Sequence, residues 1–395
     1  MADKPHWLDK ERFTVYPRIV LVLMGGFVLL RLFGHAWFPR WQGIDAPLAT
    51  DFIAFWSASH LALSGHPAAA YDVATLFATE KAAVPGDTGV YPWLYPPAFY
   101  LAVLPLALLP YAAAFAAFML ASITGYVLVF RRITRHPAAM WCLAAFPGVW
   151  ITLAHGQNAF VTAALAGAAL LSVARRPVFG GFLIGLLAIK PQLAILFPVA
   201  LIASGAWRAF RVAAVTALLF NLAGVAVLGG DIVKPALAGL TYARRMLEQG
   251  GMPWGKMPSA FASLRMLDVP VGWAYGCQGI VSIIAAGAVW RIWRRCPDAT
   301  LRGAALMTAT FLASPYGFDY DFAWLAFPLV WMALAGVRDG WLAGEREALV
   351  AVWALPLYMA VAALHAHLPV GFALLAVLLW MIARRAGRVA PYRCL

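Results

Sequence analysis

Arg208-Ala209-Phe210-Arg211 is followed by VAAVTALLFNLAGVAVLG, residues 212–229. Two arginines stand at one end of a run whose only polar side chains are Thr216 and Asn221. At 1.5 Å of rise per residue such a helix is about 27 Å long, close to the thickness of a hydrocarbon core. The same pattern, an apolar run closed by a basic cluster, recurs along the whole chain. The spans read as about 18–36, 97–130, 138–155, 158–174, 178–190, 191–204, 212–229, 271–290, 300–316, 321–337, 348–364 and 369–383.

Composition agrees. Of the 395 residues 63% are hydrophobic and 12% charged, with a mean hydropathy of +0.78. A soluble globule is about half apolar and about a quarter charged, so a soluble domain is excluded. The net charge of +13 is not a nucleic-acid signal. Its basic residues fall in short clusters between apolar runs: Lys4–Arg18, Arg131/Arg132/Arg135, Arg175/Arg176, Arg208/Arg211, Arg291/Arg294/Arg295, Arg338 with Arg346, and Arg384–Arg393. That is how cytoplasmic loops look. The expectation is an all-α polytopic membrane protein, 1–395 as a single integral membrane domain, with about 12 transmembrane helices and both termini in the cytoplasm. Met1–Arg18 is polar and precedes a full-length span, so no cleaved signal peptide is expected. Cys142, Cys277, Cys296 and Cys394 show no disulfide or metal spacing.

Two spans invite a closer look. Residues 97–130 are too long for one straight helix and contain Pro105 and Pro110, which suits a broken helix or a re-entrant piece followed by a span. The segments on either side of Lys190-Pro191 are short.

The outer side consists of a first loop, about 38–96, a second loop, about 231–270, and small turns at 155–158, 190–192, 316–321 and 365–369. The acidic residues gather there: Asp45, Asp51, Asp72, Glu80, Asp87, Asp231, Glu248, Asp268, Asp319 and Asp321. Acids contribute little to topology, so the enrichment points to function. Within the first loop, residues 52–64 read as a helix in the interface and 70–83 as a second one.

Asp51 precedes that first helix. A carboxylate beside apolar residues can act as a general base; it can equally be the helix N-cap, and the two roles can coexist. Tyr91-Pro92-Trp93-Leu94-Tyr95-Pro96-Pro97 suits an interfacial aromatic belt or a sugar-stacking surface. His155-Gly156-Gln157-Asn158 and Lys190-Pro191-Gln192 put amides and an ammonium at span ends. Lys190 can meet a phosphate as a point charge or snorkel to the interface. Ser314–Asp321 carries Asp319 and Asp321 among tyrosines, able to hold sugar hydroxyls or a cation, or to form a solvated turn. The second outer loop holds Tyr242–Arg245 and Lys256; its arginines suit an anionic group such as a phosphate, or a salt bridge with Glu248 or Asp231. No Walker loop, dinucleotide fingerprint, zincin or nucleophile-elbow motif occurs. No metal-site spacing names a metal, and no cofactor is implied.

Taken together the chain resembles glycosyltransferase family 87, the group with polyprenyl-phosphate-mannose-dependent α-mannosyltransferases. The matching residues are Asp51-Phe52 with Phe55-Trp56, Leu63-Ser64-Gly65-His66-Pro67 leading to Tyr71-Asp72, Tyr95-Pro96-Pro97-Ala98-Phe99-Tyr100 and Leu104-Pro105-Leu106. Gly156-Gln157-Asn158, Lys190-Pro191-Gln192 with Phe197-Pro198, and Ser314-Pro315-Tyr316 with Asp319-Tyr320-Asp321 complete the set, over about residues 18–330. The resemblance implies a GT-C-type glycosyltransferase fold with its site at the outer face of the plasma membrane. It also implies a polyprenyl-phosphate sugar as donor, a glycolipid or envelope glycan as acceptor, and inversion at the anomeric carbon. Asp51 would be the base; Lys190, Arg244 and Arg245 would bind the donor phosphate. Gln157, Asn158, Gln192, Tyr95, Tyr316, Asp319, Asp321 and His66 would orient sugar and acceptor. The rival reading is a multi-spanning lipid or solute transporter. Convergence of Asp51, Lys190, Gln157 and Asp319 on one outward cavity favours the enzyme; polar residues lining a path to both faces favour the transporter.

Overall fold

The computed structural model describes residues 7, 11–37, 50–85, 89–363 and 368–389. Asp45, Asp87, Cys394, the turn at 365–367 and the ends of the two terminal basic clusters lie outside the described residues.

The described residues form helices and turns, with no strand among them. In chain order the helices are α1 (Arg12–Trp37), α2 (Phe52–Leu63), α3 (Val73–Ala83), α4 (Pro97–Val103), α5 (Tyr111–Ile133), α6 (Pro137–Ala144) and α7 (Pro147–His155). There follow α8 (Ala159–Ser172), α9 (Pro177–Leu186), α10 (Phe197–Ala203), α11 (Trp207–Leu228), α12 (Val233–Gln249) and α13 (Ala260–Met266). The last are α14 (Val271–Arg295), α15 (Ala299–Ala313), α16 (Ala326–Asp339), α17 (Glu345–Tyr358) and α18 (Val370–Ala386). Local chemistry sets many of these limits. Proline opens α4, α6, α7 and α9, where its missing N–H costs nothing. Arginines fill the last turns of α5, α14 and α18, where they complement the negative end of the helix dipole.

Five stretches are long and apolar enough to cross a membrane: 12–30, α5, α11, α14, and 319–339, which includes α16. The pair α6–α7, bent by 42°, makes a sixth. Other expected spans are apolar but short, of 10–17 residues: Ala159–Ser172, Pro177–Ile189, Pro191–Ala203 and Ala299–Ala313. At 1.5 Å per residue these rise only about 20 Å, less than a hydrocarbon core. Pro177–Ile189 and Pro191–Ala203 therefore form a two-armed hairpin with Lys190 at its tip. The first arm starts and the second ends beside a basic cluster, Arg175/Arg176 and Arg208/Arg211, and the tip lies inside the protein.

The bundle is apolar on both its inside and its outside. Val22, Leu218, Leu219, Ile283 and Ile284 are more than half exposed, as lipid-facing positions should be. Every residue of α15 from Gly303 to Ala313 is buried, together with Phe322–Met332, so α15 and the 319–339 stretch form the centre. Close approach uses small residues. On α9, a side chain at Gly181 would stand 2.5 Å from the Ala209 carbonyl oxygen, and one at Gly185 would stand 2.4 Å from Thr216 Cβ. This G-x-x-x-G face lies flat on α11.

The proline break within 97–130 is observed. α4 ends at Val103, a 3-10 turn covers Leu106–Leu108, and α5 starts after Pro110. The backbone groups freed there find partners on α2. Ser59 Oγ donates to the Leu104 carbonyl (2.7 Å) and accepts the Ala107 N–H (3.0 Å), and Trp56 Nε1 donates to the Leu109 carbonyl (3.0 Å). Both helices expected in the first outer loop form, and α2 packs one face into the protein. Phe52, Ile53, Ala54, Phe55, Ser57, Ala58 and Ser59 are buried. Phe52 packs on Tyr111, Phe115 and Phe118 of α5, and Phe55 on Trp93, Tyr95 and Phe99. Edge-on and tilted ring contacts of this kind fix α2 on α5 and on the aromatic run.

Candidate functional site

Three chain turns meet where short helices end. The first joins α7 to α8. Gly156 has φ +68°, the left-handed conformation that closes a helix, and its neighbour Gln157 donates its N–H to the Thr152 carbonyl (3.1 Å). The second is the hairpin tip at Lys190. The third is the 3-10 turn Asp319–Leu325 that follows α15. It is tied to α7 through the Thr152 hydroxyl, whose proton is shared between the carbonyls of Gly148 (2.7 Å) and Tyr320 (2.6 Å).

Asp51 joins this group from the start of α2. Its backbone N–H donates to the His155 carbonyl at 3.0 Å, which fixes the beginning of α2 on the end of α7. Asp51 makes no side-chain capping bond to α2. Its Oδ2 instead accepts the Gln157 side-chain N–H at 2.8 Å, and Gln157 Oε1 accepts the Tyr95 hydroxyl at 3.1 Å. The N-cap reading of the sequence is thus replaced by a held carboxylate. The aromatic run places Trp93 in the interior and Tyr95 against Asp51's partner.

Lys190 is 3% exposed and Asp321 0%, and they form an ion pair of 2.5 Å. Lys190 also reaches Asn158 Oδ1 at 3.4 Å and stands 5.0 Å over the Tyr320 ring. It does not snorkel. Asp319 and Asp321 do not form a solvated turn, since both are fully buried. Asp319 Oδ1 accepts the Tyr320 N–H at 2.9 Å, while Asp319 Oδ2 and Asn158 Nδ2 are buried without a hydrogen-bond partner. Asp321 and Asp51 both act on the Tyr316 and Tyr95 hydroxyls. Burial first, then Asp321, and then Asp51 raise both above the ordinary tyrosine value, with Tyr316 a further contribution at Tyr95. The two carboxylates therefore act on the same pair of tyrosines.

The structure brings together Asp51, Tyr95, Gln157, Asn158, Lys190, Tyr316, Asp319 and Asp321. It does not bring in the rest. Arg244 is exposed on α12 and pairs one turn on with Glu248 at 2.7 Å, lowering the Glu248 carboxyl, and Arg245 is exposed beside it. The salt-bridge alternative holds for Arg244, because neighbours at i and i+4 meet on any helix. Gln192 is half-buried just past the hairpin tip, and His66 is exposed beyond the far end of α2, about 18 Å along the axis from Asp51. Two contributors went unassigned in the sequence: His155, whose Nδ1–H donates to the Ile151 carbonyl at 2.9 Å, and Lys256, whose Nζ stands 3.1 Å from His155 Nε2. The unusual cation in the second outer loop was the only sequence signal for the latter.

Helices of membrane-spanning length, apolar outside, that enclose carboxylates, amides and a lysine define a membrane-embedded catalytic or binding protein. The family model of glycosyltransferase family 87 matches residues 93–315, more than half of the chain. The chain belongs to glycosyltransferase family 87 and is a glycosyltransferase. No curated protein and no solved structure matches it. The matched stretch holds Tyr95, Gln157, Asn158, Lys190 and Lys256, whereas Asp51 precedes it and Asp319 and Asp321 follow it. The fold, rather than the matched stretch alone, completes the cluster.

Proposed function

We propose that this glycosyltransferase takes its sugar from a polyprenyl-phosphate donor and, by inversion, passes it to a glycolipid or envelope-glycan acceptor at the outer face of the plasma membrane. Mannose is the sugar the family resemblance suggests. The observation that carries the reading is Asp51: a carboxylate aimed by the amide of Gln157 within a cluster of buried polar groups.

In the reaction, the acceptor hydroxyl oxygen attacks the anomeric carbon and its proton passes to Asp51. The bond from the anomeric carbon to the phosphate oxygen breaks, and the electron pair leaves on the prenyl phosphate. Attack and departure on opposite faces invert the carbon. The leaving group is already an anion, so it needs a cation or hydrogen-bond donors rather than a strong acid. Asn158 Nδ2 and Asp319 Oδ2, a donor and an acceptor left without partners, supply the two hydrogen-bonding senses that sugar hydroxyls match, and an orphaned buried polar atom costs about 1–3 kcal/mol. Membrane-spanning helices beside the cluster suit a donor with a prenyl tail.

The test is transfer of radiolabelled mannose from polyprenyl-phosphate mannose by the purified protein, with a membrane extract as acceptor. Labelled product from wild type and none from folded Asp51→Asn is expected. Equal product from both removes Asp51 as the base. No product from wild type with this or any other lipid-phosphate sugar overturns the donor class.

A further inference from the structure

Resting on the lipid-phosphate reading above, we propose that Lys256, seated on His155, is the cation that receives the donor phosphate. The structure withdraws the candidates the sequence offered. Lys190 is matched by Asp321 at 2.5 Å, Arg244 by Glu248 at 2.7 Å, and Arg245 is exposed on α12. A cation already paired at short range has little charge to give a ligand.

Lys256 is different. It ends the 3-10 turn Trp254–Lys256 and is half-buried. The turn is anchored: Trp254 Nε1 donates to the Leu247 carbonyl at 2.8 Å, and the Arg265 guanidinium lies 4.8 Å over the Trp254 ring. Lys256 Nζ faces His155 Nε2 at 3.1 Å. Because His155 Nδ1 meets the Ile151 carbonyl at 2.9 Å, that nitrogen carries the imidazole proton, and Nε2 is a lone pair that accepts from the ammonium. The partner is thus a ring nitrogen and not a carboxylate, and two further N–H donors of Lys256 remain for a ligand. Among the described residues no carboxylate stands within 4.0 Å of it; Asp319 acts on it electrostatically without pairing. A half-buried lysine with no carboxylate in direct contact is stabilised by an anion that comes to it.

Its position is suitable too. His155 holds Lys256 by its ring and Asp51 by its backbone carbonyl. One residue thereby touches both base and cation, and among the described residues no hydrogen bond or ion pair joins the two directly. An inverting displacement needs that separation, with the proton acceptor on one face of the anomeric carbon and the leaving phosphate on the other.

The experiment compares binding of polyprenyl phosphate with binding of the uncharged polyprenol of equal chain length, by the purified protein in detergent. Wild type should bind the phosphate at least tenfold tighter. Lys256→Met should bind the two alike, and Lys256→Arg should keep most of the preference. Arg244→Ala with Arg245→Ala should leave it unchanged. Where Lys256→Met does not yield folded protein, Lys256→Gln gives the same reading. A wild-type preference kept by folded Lys256→Met, or lost with the two arginines, overturns the assignment of Lys256 alone. No preference in wild type overturns the lipid-phosphate donor and this inference with it.

Discussion

Gln157 donates its side-chain N–H to Asp51 Oδ2 at 2.8 Å, across 106 positions of sequence, and its other end is fixed by the Tyr95 hydroxyl. The same Gln157 oxygen accepts the Asn158 backbone N–H at 3.3 Å, a group that can only donate, so a turned amide would lose that bond and set its oxygen against the Asp51 carboxylate. Gln157→Leu is expected to lower kcat about a hundredfold, the scale of a small misplacement of a reacting group. Tyr95→Phe should cost only about fivefold, one neutral hydrogen bond. The check is the transfer rate of each variant beside its unfolding temperature. Equal rates for Gln157→Leu and wild type would show that Asp51 needs no positioning.

Lys190 and Asp321 are buried charges whose partners are each other. Removing one leaves the other unpaired, so Lys190→Met should destabilise the protein by about 3 kcal/mol or more. Replacing both, Lys190→Met with Asp321→Leu, should recover most of that loss, since an apolar pair of similar volume tolerates burial. Thermal unfolding of the two single variants and the double variant measures the coupling. Additive losses would mean that the pair is not a unit.

The hairpin that carries Lys190 rests on α11 through Gly181 and Gly185. Gly185→Ala would set a methyl 2.4 Å from Thr216 Cβ, and overpacking of this kind costs about 1–3 kcal/mol. Gly287→Ala on α14 meets nothing within 4 Å and should be neutral or stabilising by up to about 1 kcal/mol, since alanine is the better helix former. Unfolding midpoints that move together would argue against the close contact of α9 and α11.

Asp72 caps α3, accepting the Thr75 hydroxyl (2.7 Å) and the Thr75 N–H (2.9 Å), and these two bonds hold its carboxyl below the ordinary value. With the folded value lowered, the contribution is complete above the unfolded carboxyl value. It is lost as pH falls through the folded one. Asp72→Ala should therefore lower the unfolding temperature at neutral pH, by a cap's worth of about 1 kcal/mol. The difference from wild type should shrink toward pH 3. A difference that does not change with pH would remove the charge from the account.

Much of this was legible in order along the chain. Apolar runs with arginines at one end predicted the helices, and Pro105 and Pro110 predicted the break, because both signals act within a few residues. Asp51, Gln157, Asn158, Lys190, Asp319 and Asp321 were visible as polar groups that apolar surroundings make expensive. Their individual meanings were less legible. Asp51 read equally as a cap, Lys190 as a snorkelling side chain and the Asp319/Asp321 turn as solvated, since each alternative depends on what lies opposite.

The sequence by itself determined that the chain is a membrane protein built of helices, because hydropathy and charge act on the chain one segment at a time. Tertiary structure alone decided that Lys190 is consumed by Asp321, 131 positions away, and that Lys256 comes to rest on His155, 101 positions back. Charges interact across distances in space, and the same lysine is a free cation or half of a neutral pair according to what the fold brings within about 4 Å of it.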